Sequence, residues 1–139
     1  MNVSTSLLYL VKRTELAVRA RLEELLKPAG ITALQYTALT VLERRDGISA
    51  AQLARDSFVT AQSMADMVRA LESRGLIRRE PNPANRRERL ILLADAGRQL
   101  LAEYAEPARG LEQRMVADLT AEEVDRFRGA LHRTWRSLA

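Results

Sequence analysis

The stretch that decides the fold runs from Gln52 to Ile77 and reads QLARDSFVTAQSMADMVRALESRGLI. Two segments with helical spacing of apolar residues flank a short interruption at SFVT, and Gly75 is a natural stop after the second segment. The apolar positions that this register turns inward are Leu53, Ala54, Val59, Met64, Met67, Val68 and Leu71. Two short helices joined by such a turn indicate a helix-turn-helix.

Short polar side chains occupy the start of the second helix. A helix that enters the major groove of DNA directs its N-terminal residues at base edges and phosphates. Gln62 can pair with an adenine edge, and Thr60 or Ser63 can contact a phosphate or a base. The predicted DNA-contacting residues of this helix are Thr60, Gln62, Ser63 and Arg69. For a single residue a simpler interpretation stays open, in which Thr60 only caps the helix and Gln62 is only solvated.

The apolar period changes after Gly75, where the segments LIRRE and RERLILL flank a turn rich in proline and asparagine. Short aliphatic segments around such a turn predict a β-hairpin, the wing of a winged helix-turn-helix. A wing packs one face of its strands against the helices. The residues that point inward are then Ile77, Leu90 and Leu92, or their neighbours Ile91 and Leu93.

Positive charge is concentrated at the tip of this hairpin. Residues 55–89 contain eight arginines and five acidic residues, a net charge of +3 out of +4 for the whole chain. Arginine is favoured in the minor groove, where the potential of DNA is most negative. We therefore predict that Arg86, Arg87 and Arg89 contact DNA, with a solvated hairpin carrying incidental arginines as the alternative.

Long helical patterns flank the central module. The first ends at Pro28-Ala29-Gly30; a second helix starts at Thr32, a third is capped by Ser49, and the last starts with a capping box from Thr120 to Glu123. We predict a mainly α fold with a small β-hairpin wing. It divides into residues 1–30, 31–93 (the DNA-binding lobe) and 94–139, which together form one structural unit.

The flanking helices carry apolar stripes that so small a central module cannot cover. The same helices of a second subunit are the simplest cover, which predicts a homodimer. The predicted dimerisation residues are Leu7, Val11, Val124, Phe127, Leu131, Trp135 and Leu138.

Composition excludes several classes of function. The 139-residue chain has no cysteine and one histidine, His132, so disulfides, thiol chemistry and histidine-based metal sites lack their ligands. Without a Gly-rich phosphate loop or a nucleophile paired with a base, we predict no enzyme, no catalytic residue, no metal and no cofactor. No apolar run spans a bilayer and no signal peptide begins the chain, so we expect a cytoplasmic protein.

The order of elements and two segments, QLARDSFVTAQSMADMVRALESRGLIRRE and NRRERLILLADAG, resemble the MarR family of dimeric bacterial transcription regulators. The resemblance covers essentially the whole chain. Its most specific part is the wing signature, Asp-x-Arg followed at fixed spacing by Leu-Thr-x-x-Gly. Arg87 matches the signature arginine and Gly97 the signature glycine.

Two positions depart from that signature, and two residues outside it, Asp66 and Phe58, are also unusual. Asn85 stands where the family has aspartate, so an amide must orient the wing arginine. Ala94 replaces threonine, so Asp95 takes over either as N-cap or as first-turn carboxylate of the next helix. Asp66 would be repelled by phosphates, so it accepts from a cytosine amine, pairs with Arg69 or a wing arginine, or points away from DNA. We favour pairing within the molecule. Phe58 occupies a turn position that is often glycine.

The resemblance implies a ligand-responsive repressor that binds a pseudo-palindromic operator as a homodimer. It also implies a small aromatic or phenolic effector, for which Tyr9, Arg13, Tyr36 and His132 are the candidate contacts. Tyr36 is alternatively a core aromatic, and His132 a surface residue. A competing function is a winged helix that assembles with another protein and has no specific DNA site.

Overall fold

The structure is a computed structural model that describes residues 4–139. Its elements in chain order are α1 (Leu7–Leu26), α2 (Ala33–Arg44), β1 (Ile48–Ser49), α3 (Ala50–Asp56), α4 (Ala61–Ser73), β2 (Ile77–Pro81), β3 (Arg89–Leu93), α5 (Asp95–Met115) and α6 (Ala121–Leu138). One turn of 3-10 helix, Lys27–Ala29, follows α1. The predicted fold is confirmed: a winged helix-turn-helix lies between long flanking helices.

The helices begin where the sequence predicts, because polar side chains satisfy their first backbone N–H groups. The hydroxyl groups of Thr32, Ser49 and Thr60 each accept a hydrogen bond from the backbone N–H three residues later, at 3.1–3.2 Å. The capping box is also present: Thr120 accepts from the N–H of Glu123 at 3.1 Å, and the Glu123 carboxylate accepts from the N–H of Thr120 at 3.0 Å.

The sheet differs from the predicted two-stranded wing, because it has a third strand. The strand order is β1-β3-β2, with both pairings antiparallel. The short strand β1 pairs Ile48 with Ile91, and the N–H of Gly47 donates to the carbonyl of Ile91 at 3.0 Å. A two-residue strand has no period of its own, so its sequence does not predict it.

The register decides which wing residues are buried. Ile77 pairs with Leu93, and Ile77, Ile91 and Leu93 are all buried. Leu90 and Leu92 are half-buried. The second of the two alternatives left open by the sequence is therefore correct for β3.

The hydrophobic core is continuous from the first helix to α5. It contains residues of the central module and also Leu26, Leu100 and Leu101, which lie outside residues 31–93. The core therefore crosses both predicted segment boundaries, as expected for one structural unit. None of the helices in residues 4–139 is both long and apolar enough to cross a lipid bilayer.

Candidate nucleic-acid interface

Helix α4 has one face in the core and the opposite face in solvent. Met64, Val68 and Leu71 are buried and Met67 is half-buried, which confirms the predicted inward face. The face turned outward carries the exposed residues Gln62, Ser63, Asp66 and Arg69. Three of the four predicted contact residues thus share one solvent-facing surface, and Thr60 precedes it as the exposed N-cap.

The polar residues at the start of α4 divide into two groups. The hydroxyl of Thr60 accepts the N–H of Ser63 at 3.1 Å and lies 3.0 Å from the Ser63 hydroxyl, so these two side chains organise the helix terminus. Gln62 is exposed, and its amide makes no hydrogen bond to any residue in the range 4–139. Its donor and its acceptor are therefore both available to a base edge.

Asp66 and Arg69 form an ion pair one turn apart, with Arg69 donating to the carboxylate. This confirms the favoured intramolecular pairing. Both side chains are largely exposed, 64% for Arg69 and 70% for Asp66. Exposed ion pairs contribute at most about 1 kcal/mol, so a phosphate can compete for Arg69. The pairing meanwhile reduces the repulsion that Asp66 would exert on DNA.

Two asparagines shape the turn at the wing tip. The Asn82 side-chain oxygen accepts the N–H of Ala84 at 3.0 Å, and the Asn85 side-chain oxygen accepts the N–H of Arg87 at 3.1 Å. Such Asx turns order the backbone locally. Asn85 therefore holds the backbone of Arg87. Within the described residues, the guanidinium groups of Arg86 and Arg87 make no hydrogen bond or ion pair, and both side chains are exposed.

The base of the wing is more constrained than the tip. Arg89 donates to the carbonyl of Arg79 on the neighbouring strand at 3.2 Å. Arg79 in turn donates twice to the carboxylate of Glu72 on α4, at 2.8 and 3.2 Å. The hydrogen bond from Arg79 lowers the pKa of Glu72, and the same bond raises the pKa of Arg79. This pair fixes the wing against α4.

A second anchor holds the far side of the wing. Asp46, two residues after the end of α2, accepts the N–H of Leu93 at 2.8 Å and a side-chain N–H of Arg98 at 3.0 Å. It therefore connects α2, β3 and α5. This role of Asp46 could not be predicted from the sequence, because its partners lie 47 and 52 positions away and no local pattern indicates them.

The turn between α3 and α4 contains an unusual backbone conformation. Phe58 has φ +62° and its side chain is 87% exposed. A left-handed backbone is costly for a residue with a Cβ, which is why glycine is common at such positions. The side chain lines a surface groove together with Trp135 of α6 and Arg44, Arg45 and Arg55.

The four candidate effector contacts are spread over three helices. Arg13 donates to the hydroxyl of Tyr9 at 3.1 Å on the exposed face of α1, with its guanidinium carbon 6.0 Å from the ring centre. Tyr36 lies in a groove of about 340 Å³ between α2 and α5. Burial, and secondarily Glu43, raise the pKa of Tyr36. His132 lies on the exposed surface of α6.

The predicted dimerisation residues include several large apolar side chains that face solvent. Leu7 is 78% exposed, Val11 61%, Leu131 47% and Leu138 84%. Val124 and Phe127 are half-buried, and Trp135 turns its side chain toward the groove at Phe58. Helix α6 contains no buried residue, so one chain leaves its apolar stripe largely uncovered.

Comparison with known proteins places the chain among bacterial regulators. The MarR family profile matches residues 31–88. The HTH-type transcriptional repressor Rv2887 of Mycobacterium tuberculosis is 30% identical over 125 residues, which is 90% of each chain.

Solved structures agree with this similarity. A mutant of MarR from Escherichia coli in complex with operator DNA has a TM-score of 0.83 at 26% identity, covering 91% of both chains. Rv2887 in complex with salicylic acid has a TM-score of 0.75 at 30% identity, covering 94% of this chain and 97% of that one.

Proposed function

The chain belongs to the MarR family of transcriptional regulators, and from that premise we propose that it is a sequence-specific repressor. In this proposal it binds a pseudo-palindromic operator as a homodimer and is released by a small effector. Its family is a class of transcriptional regulators and not a class of enzymes. Because bacterial operators lie in the cytoplasm, we propose that it acts there.

One observation carries the DNA-binding part of the proposal. The solvent-facing side of α4 is polar. Two arginines at the wing tip, Arg86 and Arg87, make no hydrogen bond or ion pair within the described residues and lie just before β3 in the sequence. In a winged helix-turn-helix the second helix enters the major groove, and the wing reaches the backbone or the minor groove. A MarR mutant that is 26% identical has been solved in complex with operator DNA, which supports DNA as the partner of this chain.

The DNA-contacting residues have three proposed roles. Gln62 reads an adenine edge, since its amide can donate and accept in the major groove. Thr60, Ser63 and Arg69 position the helix on phosphates. Arg86, Arg87 and Arg89 form the wing contact, with Arg89 closest to the rigid base of the hairpin.

The homodimer rests on the uncovered apolar surface. In a soluble monomer, exposed apolar side chains are normally scattered, whereas here they cluster on α1 and α6. We propose that residues 1–30 and 94–139 form the dimer and that residues 31–93 form the DNA-binding lobe. Two copies of α4 about 34 Å apart would then reach successive major grooves on one face of the duplex.

A small aromatic effector is proposed for the region between the lobe and the flanking helices. The complex of the relative Rv2887 with salicylic acid supports this class of ligand. The Tyr36 groove lies at that junction, and the phenolic hydroxyl of Tyr36 can donate a hydrogen bond to a ligand there. Tyr9, Arg13 and His132 project from the flanking helices and can join such a site in a dimer. Salicylate should release the protein from operator DNA, and Tyr36→Phe should weaken that response.

The deciding experiment is selection of bound genomic fragments by the purified protein, followed by titration of the best fragment at two salt concentrations. We expect a palindromic motif with half-sites about 10 bp apart. Affinity should fall with a log-log slope of about −0.9 per phosphate contact. The absence of any enriched motif would instead favour the protein-assembly function.

A further inference from the structure

One side chain connects the C-terminal end of helix α4 to the 3-10 turn that follows helix α1. Arg74 donates through one nitrogen to the carbonyl of Ala29 at 2.7 Å and through another to the carbonyl of Gly30 at 3.0 Å. Two charge-assisted bonds from one planar guanidinium constrain orientation as well as distance. The acceptors also lie at the end of a helical turn, where the backbone carries partial negative charge that attracts a cation.

Other contacts make this junction stiff. Leu26, the last residue of α1, is completely buried in the core. Glu23 accepts the N–H of Ala33, at the start of α2, at 2.9 Å. Gly30 has φ +69° and lies beneath the guanidinium, because a Cβ there would be 3.7 Å from Arg74 Nη1. A change in the angle of α1 is therefore transmitted to the lobe and is not absorbed by a flexible linker.

Arg74 lies at the opposite end of α4 from the DNA-facing residues, so a change of helix angle at Arg74 displaces those residues. Helix α4 has 13 residues, which corresponds to about 20 Å of helix, and Arg74 follows its last residue. Gln62 and Ser63 lie at the other end. A rotation of about 10° at Arg74 would displace that end by about 3.5 Å, close to the rise of about 3.4 Å between successive base pairs.

We propose that Arg74 is a positioning residue that holds α4 at a defined angle to α1 and thereby sets the half-site spacing that the dimer accepts. This inference rests on the proposed function, because α1 must belong to the dimer interface for its angle to set the separation of two α4 helices. Arg74 itself makes no contact with bases in this role. It acts on DNA binding by setting the position along the duplex that the second copy of α4 reaches.

Distance measurement in the free dimer tests the geometry directly. Because the chain has no cysteine, Ala65→Cys on the exposed face of α4 accepts a single spin label per subunit. Pulsed electron resonance should give a narrow distribution of label-to-label distances. Arg74→Ala should shift or broaden this distribution by about 3 Å or more, and Arg74→Lys should give an intermediate result.

The matched control is Arg79→Ala. It removes an arginine that bonds to Glu72 within the lobe, so it destabilises the protein without touching the junction with α1. Its distance distribution should equal that of the parent protein. A distribution left unchanged by Arg74→Ala, or changed equally by Arg79→Ala, would overturn the proposal.

Binding to DNA provides the second readout. The palindromic fragment selected by the wild-type protein is remade with one base pair inserted or removed between its half-sites. Wild type should lose affinity at least about tenfold for either change, whereas Arg74→Ala should lose less than about threefold. Affinity for an isolated half-site should stay the same. If Arg74→Ala instead binds every fragment more weakly than wild type by the same factor, whatever the spacing, Arg74 only stabilises the protein.

Failure of the proposed function would look different. A wild-type protein that yields no distance between labels would disprove the dimer. A wild-type protein that binds no palindrome would disprove the operator. Failure of the Arg74 proposal alone gives a different result. In that case the wild-type protein is a dimer that binds a palindrome, and Arg74→Ala changes neither the label-to-label distance nor the preferred half-site spacing. If Arg74→Ala does not fold, as judged by circular dichroism, Arg74→Lys provides the same comparison.

Discussion

Gly97, in the first turn of α5, lies directly against the backbone carbonyl of Leu76. A Cβ placed on Gly97 would come within 2.3 Å of the Leu76 oxygen and 2.7 Å of a Leu93 methyl carbon. The same carbonyl accepts the N–H of Ala94 at 3.0 Å, so it cannot withdraw without losing that bond. The signature glycine is thus required by close packing between α5 and the start of the wing.

Gly97→Ala should therefore lower the free energy of unfolding by about 3 kcal/mol, the upper range for inserting an atom into a packed site. Urea denaturation measures this change. Gly110→Ala is the control in the same helix, because a Cβ there meets no atom of the described residues within 4 Å. It should raise stability by up to about 1 kcal/mol through helix propensity. Equal effects of the two substitutions would refute the packing explanation.

Phe58→Gly should stabilise the protein by about 1 kcal/mol. Glycine relieves the left-handed strain at φ +62°, while the loss of a side chain that is 87% exposed sacrifices little burial. Phe58→Ala keeps the Cβ and hence the strain, so it separates the two effects. In thermal or urea unfolding, the Phe58→Gly variant should be more stable than both the Phe58→Ala variant and the wild-type protein. A glycine variant no more stable than the alanine variant would show that the turn is unstrained.

Gln62→Ala should weaken binding to the operator by about 1–3 kcal/mol and weaken binding to random duplex much less. The expected difference arises because a bidentate amide contact reads one base and has no counterpart on a random sequence. Fluorescence anisotropy with both duplexes at one salt concentration measures it. Equal losses on the two duplexes would remove Gln62 from sequence recognition.

Arg87→Ala should weaken binding to operator and random DNA alike. The guanidinium is exposed, and the hydrogen bond to Asn85 uses the backbone N–H, which the substitution retains. The turn should therefore persist while one positive charge is lost. The log-log salt slope should become shallower by about 0.9 if one phosphate contact disappears. A selective loss on the operator would indicate that Arg87 recognises sequence.

The ion pair between Glu72 and Arg79 should make the stability of the protein depend on pH in the acidic range. Its hydrogen bond lowers the pKa of Glu72 in the folded protein below the value of the unfolded chain. The contribution is therefore present above the usual glutamate pKa of about 4.3 and is lost as the pH falls through the lowered value. Glu72→Gln should flatten this part of the stability profile, as followed by urea unfolding between neutral and acidic pH. An unchanged acid dependence in the glutamine variant would assign it to other carboxylates.

The fold was predictable where its causes are local. The caps at Thr32, Ser49, Thr60 and Thr120 and the inward face of α4 follow from residues within one or two turns of each other. The DNA-contacting and dimerising roles stay predictions, since a single free chain presents those surfaces without their partners. Strand β1 escaped prediction because it exists only by pairing with β3.

The sequence by itself determined where the helices start and stop, which sides of them are apolar, and that the positive charge gathers on the wing. Those properties depend on spacing, capping and composition along the chain. Only the tertiary structure decided that Arg74 meets the carbonyl of Gly30, that Asp46 meets Leu93, and that Gly97 has no room for a side chain. The groups that meet in these contacts are 21 to 47 positions apart in the sequence. Such contacts depend on how complete helices and strands pack, which no local pattern encodes.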